Sequence, residues 1–94
     1  MLFRSVTVNA VDPEIEAQIN NFVIDEHGQK HEGIEGARLL IEKQLLGIRL
    51  AAEKGIVVKI NSVLVPGIND KHIPEVAKVT SELGASILNN NNHL

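Results

Sequence analysis

Two short stretches hold the residues whose types and spacing could do chemistry. In "GIVVKINSVLVPGIND", Gly55 to Asp70, Lys59 and Asn61 interrupt an otherwise apolar run. In "VTVNAVDP", Thr7 and Asn9 alternate with Val6, Val8 and Ala10. Strand side chains alternate between faces, so each stretch predicts one aliphatic face and one polar face. An amine or amide taken out of water costs free energy unless something pairs with it. Two strands with matched polar pairs therefore predict either groups that satisfy one another, such as Lys59 with Asn9, or a surface that faces a ligand. Lys59 can also reach water by laying its alkyl stem along the sheet. If the sheet curls into a barrel, the polar face is the lumen, with sites at the C-terminal ends of the strands. The turn "PGIND" then forms a rim loop above the site.

Three classes of function are compatible with this pattern: a barrel with a ligand-lined interior, an aldolase-like barrel piece with Lys59 as a Schiff-base nucleophile, and a non-catalytic interaction module joined through open sheet edges. The histidines add little. His27 and His31 stand four apart beside Asp25, Glu26 and Glu32, a spacing that on a helix can hold a metal. Gly28 and the polar surroundings predict a solvated loop instead, so no metal ligand and no catalytic residue is assigned. His72 reads as a surface residue at a helix start, and His93 falls in the tail. The chain contains no cysteine, which excludes disulfides, thiolate chemistry and any cysteine-ligated cluster held by this chain alone.

The elements that must position these residues are legible from periodicity. A short strand over "VTVNA" ends at "VDP"; a short helix follows over "DPEIEAQIN", with Asp12 as N-cap and Glu14 and Glu16 near its positive end. "NNFVIDEHGQKHEG" is either a hairpin turning at "EHG" or an irregular excursion. Ile34, Ala37, Ile41, Leu45, Ile48 and Ala52 form one apolar stripe, predicting a helix from Ile34 to Lys54 that Gly55 ends. Gly47 inside it suggests close approach to a sheet. The lysine-bearing strand comes next, then a helix from about His72 to Leu83, directed inward by Ile73, Val76, Val79 and Leu83 and stopped by Gly84. "ASILN" begins a third strand, and residues 90–94 read as a polar tail. Strand and helix alternate, which predicts an α/β fold of parallel βαβ units.

Composition agrees. Of 94 residues, 44% are hydrophobic, yet only two are aromatic, both Phe, so Ile, Leu, Val and Ala must build the core, the palette of parallel sheets. The formal charge of −3 and the lack of a basic cluster argue against nucleic acid as a partner. No apolar run approaches the roughly 20 residues needed to cross a bilayer. The N-terminus has no signal-peptide core. The expectation is a soluble, cytoplasmic protein without a membrane partner.

Taken in order, "VTVNAVDPEI", "GIEGARLLIEKQLLGI" and "GIVVKINSVLVPGINDKHIPEV" resemble the NifB family of radical S-adenosylmethionine proteins, which make the precursor of the nitrogenase iron-molybdenum cofactor. Cyclic pyranopterin synthases, more distant radical S-adenosylmethionine relatives, share the second polar strand but fit the first less well. The resemblance covers about residues 6–89 and implies part of a (βα)6 partial TIM barrel. It implies S-adenosylmethionine and 4Fe-4S clusters as cofactors, and a lyase-like reaction that joins two clusters into an 8Fe-9S-C product. Iron-sulfur substrates and their delivery proteins are the implied partners. Thr7, Lys59, Ile60 and Asn61 match positions that line the cofactor or substrate pocket, Ile60 through its backbone or as an apolar wall; Asn9 joins them through the alternation. The family's CxxxCxxC cluster motif and an earlier glycine-rich contact are missing, as is the expected apolar continuation after Asn89. The chain is thus expected to be an internal piece of a radical S-adenosylmethionine domain, inactive by itself.

Overall fold

The computed structural model describes residues 2–20, 22–85 and 87–91. The chain runs β1 (Phe3–Thr7), α1 (Pro13–Ile19), β2 (Phe22–Ile24), β3 (Lys30–Glu32), α2 (Gly33–Glu53), β4 (Val57–Val63), α3 (Ile73–Glu82) and β5 (Ile87–Asn91). Three strands form a sheet in the order β1-β4-β5, with both neighbours parallel, and β2 and β3 form a separate antiparallel hairpin. The expected α/β alternation and parallel pairing are present.

Boundaries differ at both ends of the sheet. β1 begins at Phe3 rather than Val6, because the ladder to β4 depends on backbone groups and not on apolar side chains: Val57 N donates to the Leu2 carbonyl at 3.0 Å. β5 runs to Asn91, two residues into the stretch read as a polar tail, paired through Val63↔Asn91. The ambiguous excursion is a hairpin, and His93 lies outside the described residues.

The helices lie on one side of the sheet. β4 alternates half-buried and fully buried positions, with Val58, Ile60 and Ser62 inaccessible. Those aliphatic residues join Val8, Ile48 from α2 and Val76 from α3 in one core cluster. Within the stripe of α2, Ala37, Ile41 and Ile48 are buried, but Ile34 is 47% exposed because the helix has only just begun there. A Cβ at Gly47 would meet nothing within 4 Å, so the expected close approach there does not occur. Within α2 the glycine that does admit a neighbour is Gly36, where a Cβ would stand 2.5 Å from the His31 carbonyl oxygen.

Helix ends follow from local chemistry. Asp12 Oδ1 accepts from Glu14 N at 2.9 Å, and Pro13 starts α1 where its missing N–H leaves no bond unmade. Glu16, at the positive end of α1 as expected, is buried, and Asn20 Nδ2 donates to its carboxylate. Burial raises the Glu16 pKa, and the Asn20 bond only partly offsets that. After α2, Gly55 takes φ +78°, a conformation that favours glycine and turns the chain into β4.

Candidate functional site

The second face of the sheet carries the polar residues. Register places Ser5 beside Lys59 and Ile87 in one row, and Thr7 beside Asn61 and Asn89 in the next. Thr7 is exposed, and Lys59 and Asn61 are half-buried, on the face opposite the core. The alternation read from sequence thus holds in both strands. Among the described residues, Lys59 has no ion-pair partner, and no helix covers this face. The mutual Lys59–Asn9 bond considered from sequence is not made.

Asn9 has a different task. A regular parallel ladder would follow the Val8 N–H···O Asn61 bond (2.9 Å) with one from Val63 N to the Val8 carbonyl. Instead Val63 N donates to Asn9 Oδ1 at 2.9 Å, and the Val8 carbonyl accepts from Ser62 Oγ at 2.6 Å. Two side chains replace one ladder bond where the strands part. Ile60 is fully buried in the core, so only its backbone can reach the polar face.

Three residues that fix this end of the sheet were not singled out as functional from sequence. Asn69, fully buried in the "PGIND" turn, donates from Nδ2 to the carbonyls of Asn9 and Val63, each at 2.9 Å, and accepts from Val65 N at 2.8 Å. It ties the loop after β1 to the loop after β4. Ser62 occupies a position that alternation assigned to the aliphatic face, and its hydroxyl is satisfied there by the Val8 carbonyl. His72, read as a surface residue, is half-buried and accepts from Val11 N through Nε2 at 3.1 Å. The signal available in advance was small: an asparagine two residues after a Pro-Gly turn, which commonly bonds nearby backbone.

A cavity of about 610 Å³ lies elsewhere. It is an open groove in the helical layer lined by Val11, Asp12, Pro13, Leu45, His72, Glu75 and Val79. His72 already uses Nε2 on Val11, and no polar row converges there. The polar strand face remains the better candidate.

No cysteine exists, and among the described residues no group of three or more His, Asp or Glu side chains could hold a metal ion. The residues of this chain therefore do not fit a 4Fe-4S cluster. The polar face does suit an organic ligand, with a cation at Lys59, an amide at Asn61 and a hydroxyl at Thr7. No described helix is long and apolar enough to cross a membrane.

The chain is 44% identical over 86 residues to a "FeMo cofactor biosynthesis protein NifB" of Rhizobium meliloti, covering 90% of the chain and 17% of that protein. A protein of the same name from Azotobacter vinelandii is 41% identical over 85 residues, 90% of the chain and 16% of the relative. One from Methanocaldococcus infernus is 49% identical over 74 residues, 79% of the chain and 24% of the relative. The chain therefore spans about a sixth to a quarter of the length of these relatives. No family model matches it.

Proposed function

Because this chain belongs by sequence to the NifB family, matching a limited stretch of those longer proteins, we propose that it supplies one wall of a radical S-adenosylmethionine pocket used in building the precursor of the iron-molybdenum cofactor. The observation that carries the reading is the bare strand face on which Thr7, Lys59 and Asn61 stand in adjacent register rows, opposite the helix-packed core. For the whole protein the reaction is insertion of a carbon and a sulfur into paired 4Fe-4S clusters, giving an 8Fe-9S-C product, in a lyase-like enzyme. S-adenosylmethionine supplies the carbon and the radical chemistry when bound.

This chain's part is to bind and orient. The Lys59 ammonium suits a carboxylate such as that of the methionyl group, a charge-assisted contact stronger than a neutral one. Asn61 and Thr7 offer donors and acceptors to ribose or base, Ile60 contributes backbone, and Asn9 holds the rim from which the ligand is approached. The cluster ligands belong to the rest of the enzyme, which takes its cluster substrates from separate delivery proteins. The chain is accordingly inactive alone, in the cytoplasm as elsewhere.

A partial (βα)6 barrel is the architecture that accommodates this. Leu2 and Val8 direct their backbone groups to β4, so those of Phe3, Ser5 and Thr7 face the outer edge, where a neighbouring strand can pair. At that edge Gln44 Nε2 donates to the Thr7 carbonyl at 2.8 Å, while Gln44 Oε1 is buried without a partner among the described residues. Such an orphan acceptor is costly, and an incoming strand N–H would satisfy it.

Anaerobic reconstitution of the 94-residue chain with iron and sulfide tests the division of labour. The expected outcome is no cluster absorbance; a stoichiometric 4Fe-4S spectrum would contradict it.

A further inference from the structure

The β2–β3 hairpin lies against α2, outside the polar face. Its turn is organised by Asp25, whose Oδ1 accepts from His27 N at 2.8 Å and from Gln29 N at 2.9 Å. The other oxygen, Oδ2, meets His31 Nε2 at 2.9 Å, and both side chains are largely covered, 11% and 18% exposed. On the far side of the ring, His31 Nδ1 stands 3.6 Å from Glu35 Oε1, on the first turn of α2. The His31 carbonyl is seated against Gly36, the one residue type that admits it there.

This arrangement suits a charged ring better than a neutral one. With Nε2–H donating to Asp25, a neutral ring turns a lone pair at Nδ1 toward the Glu35 carboxylate, acceptor facing acceptor. Protonation replaces that lone pair with an N–H between ring and carboxylate. We propose that Asp25, His31 and Glu35 form a proton-controlled clasp, docking the hairpin on α2 while the ring is charged and loosening it when the ring is neutral.

The surrounding charges do not override this. On the hairpin, Lys30 pairs with Glu32 at 3.2 Å and Glu26 reaches Lys43 of α2 at 2.7 Å, while His27 points to solvent beside Glu26. On α2, Arg38 and Glu42 share the small groove beside the ring and balance each other in charge. The bond to Asp25 raises the His31 pKa against the opposing effect of burial, with the nearby Glu35 carboxylate adding to the rise, and the His31 bond lowers the pKa of Asp25. The histidine contribution is complete below the ordinary histidine pKa and disappears as pH rises through the raised folded value. The aspartate contribution is present above the ordinary carboxylate pKa and disappears as pH falls through the lowered one. Between those limits the clasp is closed, and it opens on the alkaline side. The Glu26–Lys43 bridge remains as a tether, so loosening is not complete release.

The test combines imidazole NMR with amide hydrogen exchange on the 94-residue chain, with rates corrected for intrinsic base catalysis. Hairpin protection should fall several-fold as pH passes the His31 titration midpoint, while α3 amides stay level. Asp25→Asn keeps an acceptor for the turn but removes the charge, and should lower the His31 midpoint. His31→Gln keeps a donor toward Asp25 but cannot titrate, so the step should vanish. Hairpin protection that stays constant across the midpoint, or a step that survives His31→Gln, overturns the proposal. The wild-type titration decides the matter even where a variant fails to fold.

Discussion

The two faces of one three-stranded sheet differ in nearly every respect. On the helix-covered face, Val8, Val58 and Ile60 are fully buried against Ile48 and Val76. On the other face, Thr7, Lys59 and Asn61 occupy the same strands at alternate positions, and among the described residues a helix reaches them only where Gln44 bonds the Thr7 backbone carbonyl. A fold needs only the first face. Polar side chains placed in register on the second contribute little to packing, which is why they read as provision for a ligand. The comparison also separates two kinds of asparagine, for Asn69 and Asn9 serve the backbone and Asn61 is left on the bare face.

Substitutions sharpen that contrast, and the largest effect belongs to the covered face. Ile60→Ala removes a fully buried side chain and should destabilise by about 2–5 kcal/mol, read as a lower denaturant midpoint. Next comes Asn69→Ala, which leaves Val65 N and the carbonyls of Asn9 and Val63 without their partner. A loss of roughly 1–3 kcal/mol is expected in chemical unfolding, together with faster exchange at Val65. Gly47→Ala should act in the opposite direction, stabilising by up to about 1 kcal/mol, because the position is helical, exposed and open. Its thermal midpoint should rise. The smallest effect is reserved for the bare face: Lys59→Ala and Asn61→Ala should each alter stability by no more than about 0.5 kcal/mol. A large loss at Asn61 would erase the distinction between the faces and assign the polar row to the fold.

Much of the fold was legible because it rests on periodicity. The stripe from Ala37 to Ile48 and the alternation in "VVKIN" follow from where water must be excluded, and local sequence carries that. Asp12 as an N-cap was equally plain, since its partner is two residues away. What could not be read depends on partners distant in the chain. Nothing local says that Ser62 bonds the Val8 carbonyl, 54 residues earlier, or that His72 caps Val11 N across 61. The burial of Glu16 was not legible for a related reason: it belongs to an α1 packed against α2, which lies far along the chain. Gly47 and Gly36 show the limit from the other side, because an interior helical glycine signals close approach only where a neighbour is present. Alternation alone was enough to place Thr7, Lys59 and Asn61 on the face away from the core, whereas the splayed strand ends that Asn9 and Asn69 hold could not be read.

The most direct measurement is a titration of the ¹⁵N-labelled chain with S-adenosylmethionine, followed by amide and side-chain NMR shifts. The account predicts weak, saturable changes concentrated at Thr7, Lys59 and Asn61, reduced in Lys59→Ala and Asn61→Ala while both variants stay folded. Changes confined to the helical groove around His72 and Glu75, or none at millimolar ligand, would contradict it.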